Sequence, residues 1–202
     1  MKTVESGGAP VVFLGDGLVE EFENRQGRVA WEKYFKTGRY RSLNLGFNSD
    51  RTEHVLGRLD NGELSGFEAR AVVLEIGTNN PDREGGEPPI DTILGIREIL
   101  RVIRRKQPQA TVWLLRHLPR AVGTADGAIA KDAANARNVE TDKIVHSFAD
   151  GKSVIWVDLY DRFLQDGRIP KELMGDYIHP TEKGYALWRA AMEPLFRRAV
   201  GK

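Results

Sequence analysis

The chain has 202 residues, 41% of them hydrophobic, and its 30 basic and 29 acidic side chains leave a formal net charge of +1. That length and apolar share suit a single domain over residues 1–202, large enough to bury a real core. The charge balance gives no reason to expect nucleic acid or an anionic membrane as partner, no apolar run is long enough for a membrane span, and the lack of cysteine excludes disulfides, thiol catalysis and thiolate metal sites.

Met1 to Pro10 has neither the charged start nor the apolar centre of a signal peptide, so the chain is expected to be soluble and cytoplasmic as written, with an exported precursor left open. Val11 to Leu14 is a short apolar run ended by Gly15-Asp16-Gly17-Leu18, which reads as a buried strand and a turn. Trp31, Tyr34 and Phe35 fit a core-facing helical cluster, with a pocket wall as the alternative. A second strand is predicted over Ser42 to Leu45 and a third over Val72 to Ile76, the latter ended by Gly77-Thr78-Asn79-Asn80. Asp82 to Pro89, with Gly85, Gly86 and paired prolines, reads as an exposed loop that either shapes a pocket or simply connects.

Ile96, Ile99, Leu100 and Ile103 form an apolar stripe at helical spacing. The basic run Arg101, Arg104, Arg105 and Lys106 suits the negative end of that helix's dipole and a solvated face. Strands follow over Val112 to Leu115 and Val154 to Val157. In the last helix Thr181 can cap the start, Glu182 favours the positive end of the dipole, and Trp188, Met192, Leu195 and Phe196 share an apolar face. Short buried strands alternating with helices predict an α/β fold, a three-layer α/β/α sandwich around a five-stranded, mainly parallel sheet.

In such a sheet ligands bind beyond the carboxyl ends of the strands. Gly17, Gly46 and Asn79 each follow a predicted strand and so converge on one edge. His179 is the natural proton acceptor, and Asp176 three residues earlier can orient its ring. Pro180 disfavours helical geometry at His179, which puts the pair on a turn; the plain alternative is a polar turn at a helix entrance. Asp16 suggests a structural hydrogen bond within its turn, and His54, His117 and His146 fit surface or satisfied core positions. No side-chain set has metal-ligand spacing, so neither a metal nor an organic cofactor is expected.

Four separated segments, Gly15-Asp16-Gly17-Leu18, Asn44-Leu45-Gly46-Phe47, Gly77-Thr78-Asn79-Asn80 and Asp176-Tyr177-Ile178-His179-Pro180, resemble in order the blocks of the SGNH, or GDSL, hydrolases. The resemblance implies a flavodoxin-like fold and ester hydrolysis through an acyl-enzyme. It places the nucleophile at position 17, the proton shuttle at His179 and its orienting carboxylate at Asp176. It also implies an oxyanion hole from the Gly17 and Gly46 backbone N–H groups and the Asn79 amide. Leu43 to Leu64 and Asp176 to Trp188 look most like the platelet-activating-factor acetylhydrolase branch. That branch implies a short acyl, above all acetyl, ester of a small molecule or glycan as substrate, and makes a homodimer worth testing.

Two positions depart from the pattern: Gly17 replaces the nucleophilic serine, and Ser49 stands where the branch often has glycine. The chain is therefore expected to be a strongly impaired esterase, most simply one inactivated at a single residue. The alternatives are a noncatalytic binding module for acylated glycans or lipids, and a hydrolase in which Asp16 and Asp176 assist a water molecule.

Overall fold

The computed structural model describes residues 9–36, 40–82 and 86–200. Five strands, β1 (Val11–Gly15), β2 (Ser42–Gly46), β3 (Ala71–Glu75), β4 (Thr111–Leu115) and β5 (Val154–Val157), form one sheet in the order β2-β1-β3-β4-β5. Every pairing is parallel, with Val11 opposite both Ser42 and Ala71, so the sheet is wholly rather than mainly parallel. Among the described residues six α-helices lie between and after the strands: α1 (Gly17–Asn24), α2 (Arg28–Trp31), α3 (Thr52–Asp60), α4 (Pro89–Lys106), α5 (Ala133–Val145) and α6 (Glu182–Val200).

The two-residue period of the strands divides the core. Val11, Phe13, Ala71, Val73 and Trp113 pack with Leu18, Phe22, Trp31, Trp188, Met192 and Phe196 on one face. Val12, Leu14, Val72, Leu74 and Leu114 pack with Val55, Leu59, Ile96, Ile99 and Ile103 on the other. The first face is aromatic: Phe13 meets Phe22, Trp31 and Phe35 edge-on, with ring centroids 5.1–5.7 Å apart. Trp31 and Phe35 are thus core residues and not a pocket wall, while Tyr34 packs at the margin beneath the Arg189 guanidinium.

Thr181 starts α6 as expected, its Oγ1 accepting from Gly184 N at 3.3 Å. Within the expected exposed loop from Asp82 to Pro89, residues 83–85 lie outside the described residues and Glu87 is buried, accepting from Asn80 Nδ2 at 2.6 Å and Thr92 Oγ1 at 3.1 Å. A carboxylate in a loop carries no periodic signal of burial; two inward donors provide the reason here.

Because β1 lies between β2 and β3, the chain leaves β1 toward one side and returns to the other. The crevice at the carboxyl ends of β1 and β3 is therefore the switch point of the sheet.

Candidate active site

The turn after β1 is organised by Asp16, whose extended backbone and Oδ1, accepting from Leu18 N at 2.9 Å, cap α1. The bond expected within the turn is thus a helix cap. Gly17 becomes the first helical residue, and its N–H has no acceptor among the described residues, since a helix offers its first N–H groups no partner of its own. The atoms nearest a Cβ at Gly17 would belong to Asn48, with Oδ1 at 2.9 Å. Asn48 is exposed, so a small rotation of its amide makes room for a serine side chain.

The loop after β2 departs from the role implied for Gly46. Its N–H is donated to Asn44 Oδ1 at 2.8 Å, and a Cβ there would stand 2.3 Å from Glu20 N, so glycine at this position serves the close approach of α1 to β2. Further along, Phe47 N donates to Gly15 O, Asn48 N to Glu20 Oε2 and Asp50 N to Phe47 O. Ser49, at φ 61°, is the residue of this loop whose N–H has no acceptor among the described residues. The signal in the sequence was Ser49 itself, at a position where glycine is common and a left-handed backbone is natural.

The loop after β3 is braced from below. Gly77, at φ 118°, leaves no room for a side chain, since a Cβ would stand 2.4 Å from His117 Nε2. Buried Arg120 donates to Thr78 O at 2.9 Å and pairs with Asp82 and Asp132. Asn80 joins the loop to α3, accepting from Thr52 N at 3.2 Å and donating to Thr52 Oγ1 at 3.0 Å. Asn79 then extends its amide between the other two loops, donating to Asp50 O at 2.9 Å and, more weakly, to Asp16 Oδ2 at 3.5 Å.

Asp176 and His179 lie on a turn, not a helix, with Tyr177 at φ 66°. Asp176 Oδ1 accepts from the N–H groups of Ile178 and His179 at 3.1 and 2.8 Å, and Oδ2 meets His179 Nδ1 at 2.7 Å. Burial would raise the Asp176 pKa, but the His179 ring and these N–H groups outweigh it and hold the carboxyl below its usual range. With Nδ1 engaged, Nε2 is left to face outward chemistry. The pair lines a recess of about 230 Å³ together with Glu21 of α1 and Arg25, the residue that follows it. The Tyr185 hydroxyl ties α6 to the same helix, donating to Leu18 O at 2.8 Å. His179 is near enough to the nucleophile turn for its charge to lower the pKa of Asp16, one residue from Gly17.

Beneath the crevice lies a buried polar cluster that periodicity and spacing did not reveal. Burial raises Asp16 to about 6, against the opposing effects of the neighbouring Glu75 carboxyl, the Leu18 N–H and the charges of His117 and His179. Burial, and then the Asp16 charge, raises Glu75 well above its usual range. His117 is a buried core histidine bonded through Nδ1 to Asp142 Oδ1 at 2.7 Å. Burial works against its charged form, yet Asp142, Asp16 and the Ile76 backbone together outweigh burial and the His117 pKa is raised. The available signal was Glu75 itself, an acid inside the apolar run predicted as a strand to Ile76; β3 ends at Glu75.

An α/β/α sandwich with a carboxamide and backbone N–H groups that lack acceptors among the described residues in the loops at its switch point, and a His–carboxylate pair on a recess beside α1, has the frame of an acyl-transfer hydrolase. The chain belongs to the GDSL-like lipase/acylhydrolase family, whose model matches residues 13–187. It is 31% identical to platelet-activating factor acetylhydrolase IB subunit alpha1 of Pongo abelii over 194 residues, covering 95% of this chain and 77% of that protein. Among solved structures it resembles a GDSL-like lipase from Bacteroides thetaiotaomicron, with a TM-score of 0.76 at 16% identity over 98% of this chain and 93% of that one. An acetylxylan esterase from Geobacillus stearothermophilus gives a TM-score of 0.64 at 15% identity over 95% of this chain and 94% of that one. These two likenesses concern the fold. No helix among the described residues is long and apolar enough to cross a membrane.

Proposed function

We propose that this chain is the frame of a carboxylic ester hydrolase for short acyl, above all acetyl, esters, with its nucleophile position occupied by Gly17. The observation that carries the reading is the His179–Asp176 pair, bonded at 2.7 Å, on the recess shared with the helix that Gly17 begins.

In the serine form, the hydroxyl at position 17 would attack the ester carbonyl while His179 Nε2 takes its proton. Asp176 would keep the Nδ1 proton in place and stabilise the imidazolium. The oxyanion would be met by the N–H groups of Gly17 and Ser49 and by the Asn79 Nδ2 hydrogen that is only weakly held by Asp16. The second N–H donor is assigned to Ser49 because that of Gly46 is already committed to Asn44. His179 would then return the proton to the leaving alcohol, and water would release the acid by the same steps in reverse. With glycine in place the donors persist and the covalent step does not, which by analogy with removal of a catalytic serine costs on the order of 10⁶ in turnover.

The test is Gly17→Ser. The variant is expected to hydrolyse 4-nitrophenyl acetate at least 10³-fold faster than the parent chain, in line with roughly 10⁶ for a full triad, and His179→Ala in that background should abolish the gain. A folded variant with no gain would favour the binding-module reading, and rapid turnover by the parent, lost on changing Asp16 or Asp176, would favour water activated by a carboxylate.

A further inference from the structure

An open groove of about 620 Å³ runs along α3, lined by Phe47, Asn48, Glu53, His54, Gly57 and Asn61 among others. It begins at the reaction point, because Asn48, whose Oδ1 would stand 2.9 Å from a Cβ at Gly17, belongs to its wall. Gly57 forms part of its wall. This glycine lies inside α3, where glycine weakens a helix, and a Cβ there would meet nothing within 4 Å. Neither a positive φ nor a close packing partner explains it, and open space is what it provides.

The walls indicate what fits. Arg58 covers the Phe47 ring, with its guanidinium carbon 4.3 Å from the ring centroid, and is itself paired with Asp50 and Glu63. Glu53 is matched by Arg51 at 2.7 Å. The charges are therefore neutralised within the protein, which leaves no unpaired Arg or Lys for a phosphate among the described residues of the wall. Among the described residues no aliphatic side chain lines the groove, and the apolar part of its surface includes Phe47, an aromatic ring of the kind that packs against a sugar's C–H face. The wall does hold polar groups for hydroxyls. His54 Nδ1 accepts from Arg51 N at 3.1 Å, which leaves Nε2–H as a donor. Asn61 donates Nδ2 to Gly57 O at 2.7 Å and keeps its Oδ1 as an acceptor, and Asn48 adds a second exposed amide.

We infer that this groove holds the alcohol half of the ester as a neutral sugar unit, and that Gly57 sets the specificity by keeping the groove open. The inference rests on the esterase reading for its catalytic arm only.

The test uses Gly57→Trp, which fills the groove from an exposed helix position, and Gly57→Ala, which leaves most of it open. In the Gly17→Ser background, the ratio of kcat/KM for acetylated xylotriose to that for 4-nitrophenyl acetate should fall about tenfold or more with Trp, a difference of about 1.4 kcal/mol, and far less with Ala. Titration calorimetry on the chain with Gly17 intact is the second arm. It should show saturable binding of acetylated xylotriose, about tenfold weaker with Trp. If the serine form is inactive while this Gly57-dependent binding is seen, the esterase reading fails and the groove assignment stands. Absence of binding, an unchanged ratio, or an equal loss for an acetylated glycerophospholipid would overturn the assignment.

Discussion

Asn79 is held from two sides, by the Asp50 carbonyl at 2.9 Å and by the Asp16 carboxyl at 3.5 Å, so its amide is positioned before any substrate arrives. A donor fixed in advance needs no reorganisation as charge develops on the substrate oxygen, and loss of one such donor costs about 10²–10³ in kcat. Asn79→Ala in the Gly17→Ser background is therefore expected to lower kcat by roughly that factor, with a smaller change in KM, in steady-state kinetics on a short acyl ester. An effect confined to KM would mean that the amide only binds the ground state. Around Asn79 the residues have divided duties: Asp16 caps a helix, Gly46 admits one, and the Ser49 N–H has no acceptor among the described residues.

At the scale of elements, α6 has the clearest work. Its turn N-terminal to Thr181 carries His179, and its apolar face of Trp188, Met192 and Phe196 is fully buried against β1, α1 and α2. Trp188→Ala should lower the unfolding free energy by about 3–5 kcal/mol in denaturant titration, since a large buried ring is removed and the neighbouring rings cannot close the space. A loss below about 1 kcal/mol would mean that this face repacks easily. This face, like the five strands, was legible because burial there repeats with the period of the element. The turn at Asp176 was legible from Pro180, which keeps His179 out of the helix. Three features were not. The commitment of the Gly46 N–H depends on a side chain two residues back, the burial of Glu87 depends on donors from α4 and the β3 loop, and the Glu75–Asp16–His117 cluster joins three strand ends. The first is a local side-chain contact and the other two join separate elements, and none follows the period of a strand or helix.

At the scale of the molecule, the buried acids and the histidine under the crevice give stability a sign with respect to pH. Asp16 has a folded pKa of about 6, above its ordinary 3.8, so its contribution is complete below the unfolded value and is lost as pH rises through about 6. His117, also raised, acts in the same direction above 6.5. Asp176 is lowered and acts oppositely, its contribution disappearing as pH falls below 3.8. Thermal unfolding followed by circular dichroism should therefore show a midpoint that is highest in mild acid and falls by several degrees from pH 5 to pH 8. The scale is roughly 2–4 °C for each kcal/mol. Asp16→Asn keeps a capping oxygen while removing the buried charge, so it should flatten this decline; an unchanged pH profile would place the responsible group elsewhere.

The whole account turns on the proposal that His179 and the N–H groups of Gly17 and Ser49 meet a substrate at position 17. A serine placed there should be reactive because of His179, and intact-mass analysis after treatment with a serine-directed fluorophosphonate reads this directly. Gly17→Ser is predicted to gain a single adduct, which the parent chain and the Gly17→Ser, His179→Ala double variant lack. A folded serine variant that stays unlabelled, or one labelled equally fast without His179, would contradict the account.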